Sequence, residues 1–384
     1  MRGSSQSYFS FPPIAGHNSW LDALRALAIV LVLFRHGSRI DGAGFASGSF
    51  VQNVFGNGWI GVDLFFVLSG YLIAKSLFKR LGKGQQLFSW RYFEARILRI
   101  VPAYYVVLLL CVVGFFPFFQ VSPEGLEQRV FYHGLFLQDY FGADINVVFW
   151  SLGVEEKFYI LVPLLILALL KIKSVRWQFA ACLAVMSLSP IARSAVFAFQ
   201  ESTINYQEFF TQLRSPFHMS LEGFLVGIMV ALGERKNWLL PVRIAKPVLL
   251  LQLVGLVLWA GSHEFLASIN LFDATLQPLL LSIFFGLMLY CCLGLNNSPL
   301  PLEPTARVIA RLSYALYLVH FPLIPLALVL TKDLGGWAFW SVYLLISILG
   351  AVALHFLVEK PFLKLKDRPG LQANPGPLKA AKAQ

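Results

Sequence analysis

Ten apolar stretches, each about as long as a bilayer is thick, follow one another along the sequence. A helix of about 20 residues spans the ~30 Å hydrocarbon core, and such stretches lie at 20–37, 59–77, 100–118, 148–170, 177–199, 216–233, 247–262, 274–293, 312–330 and 336–358. Of the 384 residues, 57% are hydrophobic and only 13% are charged, whereas roughly a quarter of a soluble domain is charged. The sequence therefore predicts an all-α polytopic membrane protein with about ten transmembrane helices, in contact with the lipid bilayer.

Basic residues are distributed unevenly between the loops. Of the 31 Lys and Arg residues, 23 fall in alternate segments that would share one side of the membrane with the N-terminus, and four fall in the opposite loops, namely Arg39, Arg129, Arg214 and Lys332. Basic residues accumulate in cytoplasmic loops, so both termini are predicted to be cytoplasmic. The net charge of +11 is then explained by topology, and no nucleic-acid partner is predicted.

The chain is predicted to form one transmembrane domain over residues 20–366. A cytoplasmic segment of residues 1–19 precedes this domain, and a disordered cytoplasmic tail rich in Pro, Gly, Ala and Lys follows over residues 367–384. The first apolar stretch carries Asp22 and Arg25 and lacks a convincing cleavage site, so it is interpreted as a retained helix and not a signal peptide. The four cysteines lie in apolar stretches without metal-ligand spacing, so no metal and no bound cofactor are predicted.

The first helix carries ionisable residues along one face. At 100° per residue, Arg25 and His36 share a face and lie ~16 Å apart along the axis, and Asp22 falls within about 40° of His36. Ionisable residues inside membrane helices usually face a protein interior or a water-filled cavity. The alternative is an Asp22–Arg25 pair with an interfacial His36. Arg35 is rotated away and is expected to reach the outer interface.

Further candidate site residues occur in later segments. Arg96 and Arg99 are three residues apart, so they share a helix face and could hold one phosphate between them, although an ordinary basic collar is the alternative. Ser69 and Gly70 are typical of close helix packing, and Arg193 and Glu222 are predicted to form a buried pair. The remaining candidates are Asp63, which needs a partner; Ser151 and Glu155, at i and i+4; and Ser313, Tyr317 and His320, at i, i+4 and i+7.

These segments together resemble the membrane-bound acyltransferase-3 family, whose members are integral-membrane O-acyltransferases that modify bacterial polysaccharides, lipopolysaccharide and peptidoglycan. LDALRALAIVLVLFRH is similar to the family's helix-1 pattern of Arg or Lys, ten residues, then His, and RYFEARILRIVPAYY carries its Arg-x-x-Arg. GVDLFFVLSGYLI, WSLGVEEKFYILVP and SYALYLVHFPL resemble further landmarks. The similar segments span residues 21 to 322 in the expected order.

The resemblance implies an enzyme of the bacterial cytoplasmic (inner) membrane that uses acyl-CoA, by default acetyl-CoA, as a cytoplasmic co-substrate. The acceptor would be a hydroxyl of an extracytoplasmic or lipid-linked glycan. His36 would be the catalytic residue, Arg25 its partner on helix 1, and Arg96 and Arg99 the donor-binding pair. Supporting or acceptor-side roles are expected for Asp22, Asp63, Ser151, Glu155, Ser313, Tyr317 and His320.

Direct transfer with His36 as general base is favoured over an acyl-enzyme, because no nucleophile–base pair is evident at short spacing. The competing class is a glycolipid or polysaccharide transporter or flippase, which would also need many helices and buried charges but has no use for CoA. A scaffold protein without activity is a third alternative.

Overall fold

The computed structural model describes residues 11–12, 18–38, 48–200, 203–263, 269–296 and 298–366. Within these ranges all regular secondary structure is helical, apart from an isolated antiparallel bridge between Ile204 and Ile269. The predicted all-α class is therefore confirmed. The predicted tail over residues 367–384 and most of the predicted N-terminal segment lie outside the described residues.

Sixteen α-helices are present in the described part of the chain. They are α1 (Ser19–Gly37), α2 (Phe50–Gly56), α3 (Gly61–Gly82), α4 (Trp90–Val112), α5 (Leu126–Gly134), α6 (Gln138–Phe141), α7 (Trp150–Lys171), α8 (Val175–Met186), α9 (Leu188–Phe197), α10 (Tyr206–Glu208), α11 (Glu222–Arg235), α12 (Val242–Ser262), α13 (Leu271–Gly294), α14 (Glu303–Leu330), α15 (Gly336–Leu354) and α16 (Lys360–Lys366). Short 3₁₀ turns occupy Asn57–Ile60, Val147–Phe149 and Phe217–Met219, and π-helical turns occupy Phe209–Arg214 and His355–Glu359.

Seven helical segments in the described residues are long and apolar enough to cross a membrane: Phe50–Gly82, Trp90–Val112, Val175–Phe197, Val242–Ser262, Leu271–Gly294, Glu303–Leu330 and Gly336–Leu365. Three of the ten predicted spans, which correspond to α1, α7 and α11, are either too short or carry too many charged residues to be counted among these seven. Every 18-residue stretch of α1 or α7 carries at least three charged residues, and α11 has only 14 residues. The count of ten and the orientation of the termini remain predictions.

The three helices that are not counted as membrane spans, α1, α7 and α11, all pack against α3 in the interior of the bundle. Charged residues are tolerated in a membrane protein where other helices, and not lipid, surround them. This location explains why α1 and α7 can carry ionisable residues that an isolated span could not. It also places the polar residues of three helices around one central helix.

Several predicted boundaries were wrong by up to ten residues. α4 begins at Trp90 and not at 100, and α14 begins at Glu303 and not at 312. Hydropathy detects only the part of a helix that would lie in hydrocarbon, whereas both helices extend into polar segments. The stretch at 177–199 is divided into α8 and α9 at Ser187, and the stretch at 216–233 becomes α-helical only at Glu222.

The contact between α3 and α11 depends on glycine. A Cβ atom added to Gly70 would lie 2.1 Å from the carbonyl oxygen of Phe224, and one added to Gly227 would lie 2.2 Å from that of Val67. The two backbones therefore touch directly, as small residues allow in membrane proteins. The predicted packing role of Gly70 is confirmed, and the close approach holds α3 in a fixed register.

Candidate active site

Two cavities meet in the centre of the bundle. The arginine cavity has a volume of about 140 Å³, and the histidine cavity, which contains His36, has a volume of about 530 Å³. Val62 of α3 and Tyr317 of α14 line both cavities. These two side chains therefore form a wall between the cavities, which we call the Val62–Tyr317 wall.

The arginine cavity brings together most of the predicted site residues. Five helices, α1, α3, α4, α7 and α14, supply its polar lining, which includes Arg25, Ser69, Arg96, Arg99, Ser151, Glu155, Ser313 and Tyr317. The rest of the lining is largely apolar, with Phe65, Leu68, Leu72, Ile73, Ile100 and Leu152. The arginine cavity therefore combines an apolar lining with three guanidinium groups. This combination is suited to a ligand with an apolar arm and an anionic end.

Two acids accompany these arginines. Asp22 is buried, and its carboxylate lies 3.9 Å from the Arg25 guanidinium, so the intrahelical pair considered as the alternative is present, while Arg25 also lines the cavity. Glu155 accepts hydrogen bonds from Ser69 at 3.2 Å and from Tyr159 at 2.5 Å. The carboxylate of Glu155 is therefore held by two hydroxyl groups at the edge of the arginine cavity.

Arg96 is held by aromatic rings. Its guanidinium lies 5.6 Å from the ring centre of Tyr92 and 5.9 Å from that of Tyr159, distances at which a cation is attracted to the ring face. Its Nε is buried and makes no hydrogen bond within the described part of the chain. An anionic ligand at this position would supply an acceptor for that nitrogen, because a buried N–H without a partner is costly.

His36 lies in the other cavity, in contact with a second histidine. Its Nδ1 is 3.0 Å from Nε2 of His320, and Nδ1 of His320 is 2.9 Å from the carbonyl oxygen of Leu316. His320 is fully buried, and the Phe321 ring lies nearly perpendicular to the His36 ring with the ring centres 5.3 Å apart. Arg25 and His36 share a face of α1 as predicted, but Arg25 lines the arginine cavity and His36 lines the histidine cavity.

The hydroxyl of Tyr317 is fixed in the wall between the cavities. It lies 2.8 Å from the carbonyl oxygen of Val148 and 2.6 Å from Oγ of Ser151. Oγ of Ser151 also lies 3.4 Å from the carbonyl oxygen of Val148, so one of the two hydroxyl groups donates to Val148 and the other donates to its neighbour. Ser313 donates to the carbonyl of Ala310 at 2.8 Å. Ser151 and Tyr317 therefore act as one hydrogen-bonded unit.

Asp63 lines neither cavity but supports a residue that does. Arg214, the last residue of the π-helical turn Phe209–Arg214, makes two hydrogen bonds to the Asp63 carboxylate, at 3.2 and 3.0 Å. The Arg214 guanidinium also lies 4.7 Å from the ring centre of Trp59 and 5.3 Å from that of Trp150. Both partners are buried, and Arg214 faces the histidine cavity.

The sequence did not identify several residues of the histidine cavity. Its lining is rich in aromatic side chains, namely Trp59, Phe118, Phe119, Trp150, Tyr206, Phe210 and Phe321. Arg35 also lines it, contrary to the expectation that it would reach the outer interface. Arg35 is only 2% exposed and donates to the carbonyl oxygen of Gly56 at 3.0 Å, because α2 and the turn after it pack beside α1. The available signal was a tryptophan at the start of each acid-bearing helix: Trp59 shortly precedes Asp63 of α3, and Trp150 begins α7, which carries Glu155.

A second buried ion pair lies beside the Asp63–Arg214 pair. Arg193 of α9 contacts the Glu222 carboxylate of α11, and it also donates to the carbonyl oxygens of Met219 and Thr275. The predicted Arg193–Glu222 pair is therefore confirmed. It ties α9, α11 and α13 together behind the histidine cavity, which is consistent with a structural role.

The fold and the two cavities define an integral membrane protein with a polar site enclosed by its helices. The profile of the acyltransferase-3 family, described as an acyltransferase domain, matches residues 18–356. The chain belongs to this family. The matched range contains both cavities and the wall between them.

Three relatives have names that describe an activity. The chain is 26% identical over 363 residues to the putative peptidoglycan O-acetyltransferase YrhL of Bacillus subtilis, a match that covers 89% of this chain and 54% of the relative. It is 34% identical over 167 residues to the peptidoglycan O-acetyltransferase OatA of Listeria monocytogenes, which covers 39% of this chain and 24% of the relative. The O-acetyltransferase OatA of Staphylococcus aureus is 32% identical over 169 residues, or 39% of this chain and 25% of the relative.

The chain thus spans about half the length of YrhL and about a quarter of each OatA protein. No solved structure matches the chain.

Proposed function

We propose that the protein transfers an acetyl group from cytoplasmic acetyl-CoA to a hydroxyl of an extracytoplasmic or lipid-linked glycan in the bacterial inner membrane. Membership of an acyltransferase family supports the reaction class, and the names of the relatives support glycan O-acetylation. The single observation that carries the proposal is the pair of cavities, one with three arginines and one with a histidine, that share the Val62–Tyr317 wall.

The arginine cavity would receive the donor. Its volume of about 140 Å³ is below the roughly 300–1,000 Å³ of pockets that enclose a drug-sized ligand, so it would take the pantetheine arm while the nucleotide stays outside. Arg99, which lines the cavity, is exposed to solvent. The buried Nε of Arg96 makes no hydrogen bond in the described part of the chain and could donate to a ligand. Both would bind the phosphates, because guanidinium groups match phosphate oxygens in geometry and charge.

The histidine cavity would receive the acceptor. Its volume of about 530 Å³ and its aromatic lining suit a sugar ring, which packs its apolar face on aromatic side chains. Arg35 and Arg214 add polar groups at its margin. His36 lies in this cavity and would contact the hydroxyl that reacts.

The reaction would take place at the Val62–Tyr317 wall. The acceptor oxygen attacks the thioester carbonyl carbon while its proton passes to His36, and the tetrahedral intermediate then breaks its C–S bond. The departing thiolate takes up the proton that His36 received, so it leaves as CoA and His36 returns to its neutral state. Ser151 and Tyr317 carry hydroxyl groups at the wall. We assign one of these hydroxyl groups, whose proton would turn away from the carbonyl oxygen of Val148, to the thioester carbonyl oxygen as negative charge develops.

Arg25 has a different task in this scheme. It lies ~16 Å from His36 along the axis of α1, and it lines the arginine cavity and not the histidine cavity. We assign Arg25 to the donor arm in the arginine cavity, with Asp22 holding its guanidinium.

The experiment that tests the proposal uses the full chain in nanodiscs with acetyl-CoA and soluble peptidoglycan fragments. Free CoA is followed with a thiol reagent, and acetylated glycan is measured by mass spectrometry. We expect the two products to appear in equal amounts. Intact acetyl-CoA in the presence of folded protein would reject the proposal and favour the transporter class.

We expect the double substitution Arg96→Ala with Arg99→Ala to raise the KM for acetyl-CoA by about 100-fold or more. Each charge-assisted hydrogen bond contributes about 1.5–3 kcal/mol, so each loss corresponds to roughly a tenfold to hundredfold change. Because neither residue lies in the histidine cavity, kcat should change little. The measurement is steady-state turnover with varied acetyl-CoA, combined with calorimetric titration of CoA.

The matched control for this pair is Arg243→Ala, which removes an exposed guanidinium on α12 that lines neither cavity. Its KM should equal that of the wild type. A wild-type KM in the double variant would show that the donor binds elsewhere.

A further inference from the structure

The two histidines in the centre of the molecule form a directed chain of hydrogen bonds. The chain runs from Nδ1 of His36 to Nε2 of His320 at 3.0 Å, and from Nδ1 of His320 to the carbonyl oxygen of Leu316 at 2.9 Å. A carbonyl oxygen has no proton to give. Nδ1 of His320 must therefore carry a proton and donate it to Leu316.

Burial then decides the state of the other nitrogen of His320. The residue has no exposed surface, and a cationic imidazole at such a position would pay a large desolvation cost. In the neutral ring only one nitrogen carries a proton, so Nε2 of His320 is an acceptor. The proton between the two rings consequently belongs to Nδ1 of His36.

This assignment determines which nitrogen of His36 can act as a base. With a proton on Nδ1, the neutral ring of His36 has its lone pair on Nε2. His36 lines the histidine cavity, whereas His320 does not. The nitrogen that faces away from His320 is therefore the one that can take a proton from a hydroxyl group.

We propose that His320 is a positioning residue that holds His36 in the Nδ1–H tautomer, so that Nε2 serves as the general base. The proposal rests on the proposed function for the identity of the proton donor, the acceptor hydroxyl. When Nε2 takes that proton, Nδ1–H of His36 continues to donate to His320, so the imidazolium keeps its hydrogen bond. The perpendicular contact with Phe321 further restricts rotation of the His36 ring.

Two substitutions separate this role from simple packing. In His320→Gln, the side-chain oxygen could still accept from Nδ1 of His36 while the amide donates to Leu316, whereas His320→Leu fills space without an acceptor. We expect His320→Leu to lower kcat by about 100-fold, in line with the loss of a residue that orients a functional histidine, with no change in the KM for acetyl-CoA. His320→Gln should recover at least tenfold of this loss.

Wild-type kcat in His320→Leu would overturn the proposal. So would equal losses in the Leu and Gln variants when both bind CoA like the wild type, because that result would indicate a role in packing alone.

A spectroscopic measurement tests the tautomer without any turnover. The full chain is labelled with ¹⁵N-histidine in nanodiscs, and the signals of His36 are identified by their loss in His36→Ala. We expect Nδ1 of His36 to be protonated and Nε2 to be unprotonated in the wild type, and this preference to weaken in His320→Leu. A proton on Nε2 in the neutral wild-type ring would reject the proposal.

The two proposals can fail separately. An active enzyme with the opposite tautomer would reject the role of His320 alone. An inactive protein with the expected tautomer would reject the proposed function and leave the His36–His320 arrangement established.

Discussion

Substitution of His36 by alanine is expected to remove acetyl transfer while acetyl-CoA binding stays at the wild-type level. His36 lies in the histidine cavity, on the other side of the Val62–Tyr317 wall from the three arginines. General base catalysis contributes about 10²–10⁴-fold to a rate, so kcat should fall by at least about 100-fold. Turnover and CoA titration on the same preparation would separate the two effects.

His218→Ala is the matched control, since His218 is exposed and lines neither cavity. It should transfer acetyl groups at the wild-type rate. If His36→Ala retained more than a tenth of the wild-type kcat, another group would have to take the proton, and the roles of both central histidines would be wrong.

Asp63→Ala is expected to cause the largest loss of stability. The substitution would leave the Arg214 guanidinium buried against two tryptophans without the carboxylate that now accepts two hydrogen bonds. Removal of one partner of a buried ion pair costs about 3–5 kcal/mol. Equilibrium unfolding in mixed detergent micelles would measure the change in the free energy of unfolding.

Two further variants show whether the effect comes from a buried unpaired charge. The double substitution Asp63→Leu with Arg214→Met should recover most of the stability, because replacing a whole buried pair with apolar residues is often neutral. Lys75→Ala breaks the Lys75–Glu234 pair, whose side chains are 49% and 25% exposed, and should cost less than about 1 kcal/mol. A small effect of Asp63→Ala would mean that water already reaches Arg214.

Local helical geometry explains which parts of the site the sequence could predict. Spacings of three, four, seven and eleven residues place side chains on one face whatever the rest of the chain does. That is why Arg96 and Arg99 line one cavity, and why Arg25 and His36 follow the same face of α1. The family resemblance identified the same segments and was confirmed by the match over residues 18–356.

Contacts between distant segments explain what the sequence missed. Arg214 is 151 residues from Asp63 in sequence, and no periodicity links a π-helical turn to a transmembrane helix. The division of the predicted site into two cavities depends on how α14 crosses α1 and α7, since Tyr317 of α14 is in the shared wall. The spacing of Ser313 and Tyr317 predicted a common face but could not predict what that face separates.

The Val62–Tyr317 wall has a consequence for the cell as well as for the reaction. Under the proposed function, two carbons and one oxygen pass from one side of the bilayer to the other, while the nucleotide and the sugar never share a compartment. The hydroxyl proton passes to the CoA thiolate as the acetyl group passes the other way, so the exchange moves no net charge, and the helices need not open alternately as they do in a carrier. Such an enzyme could decorate an external polymer continuously without dissipating the ion gradients on which an energised membrane depends.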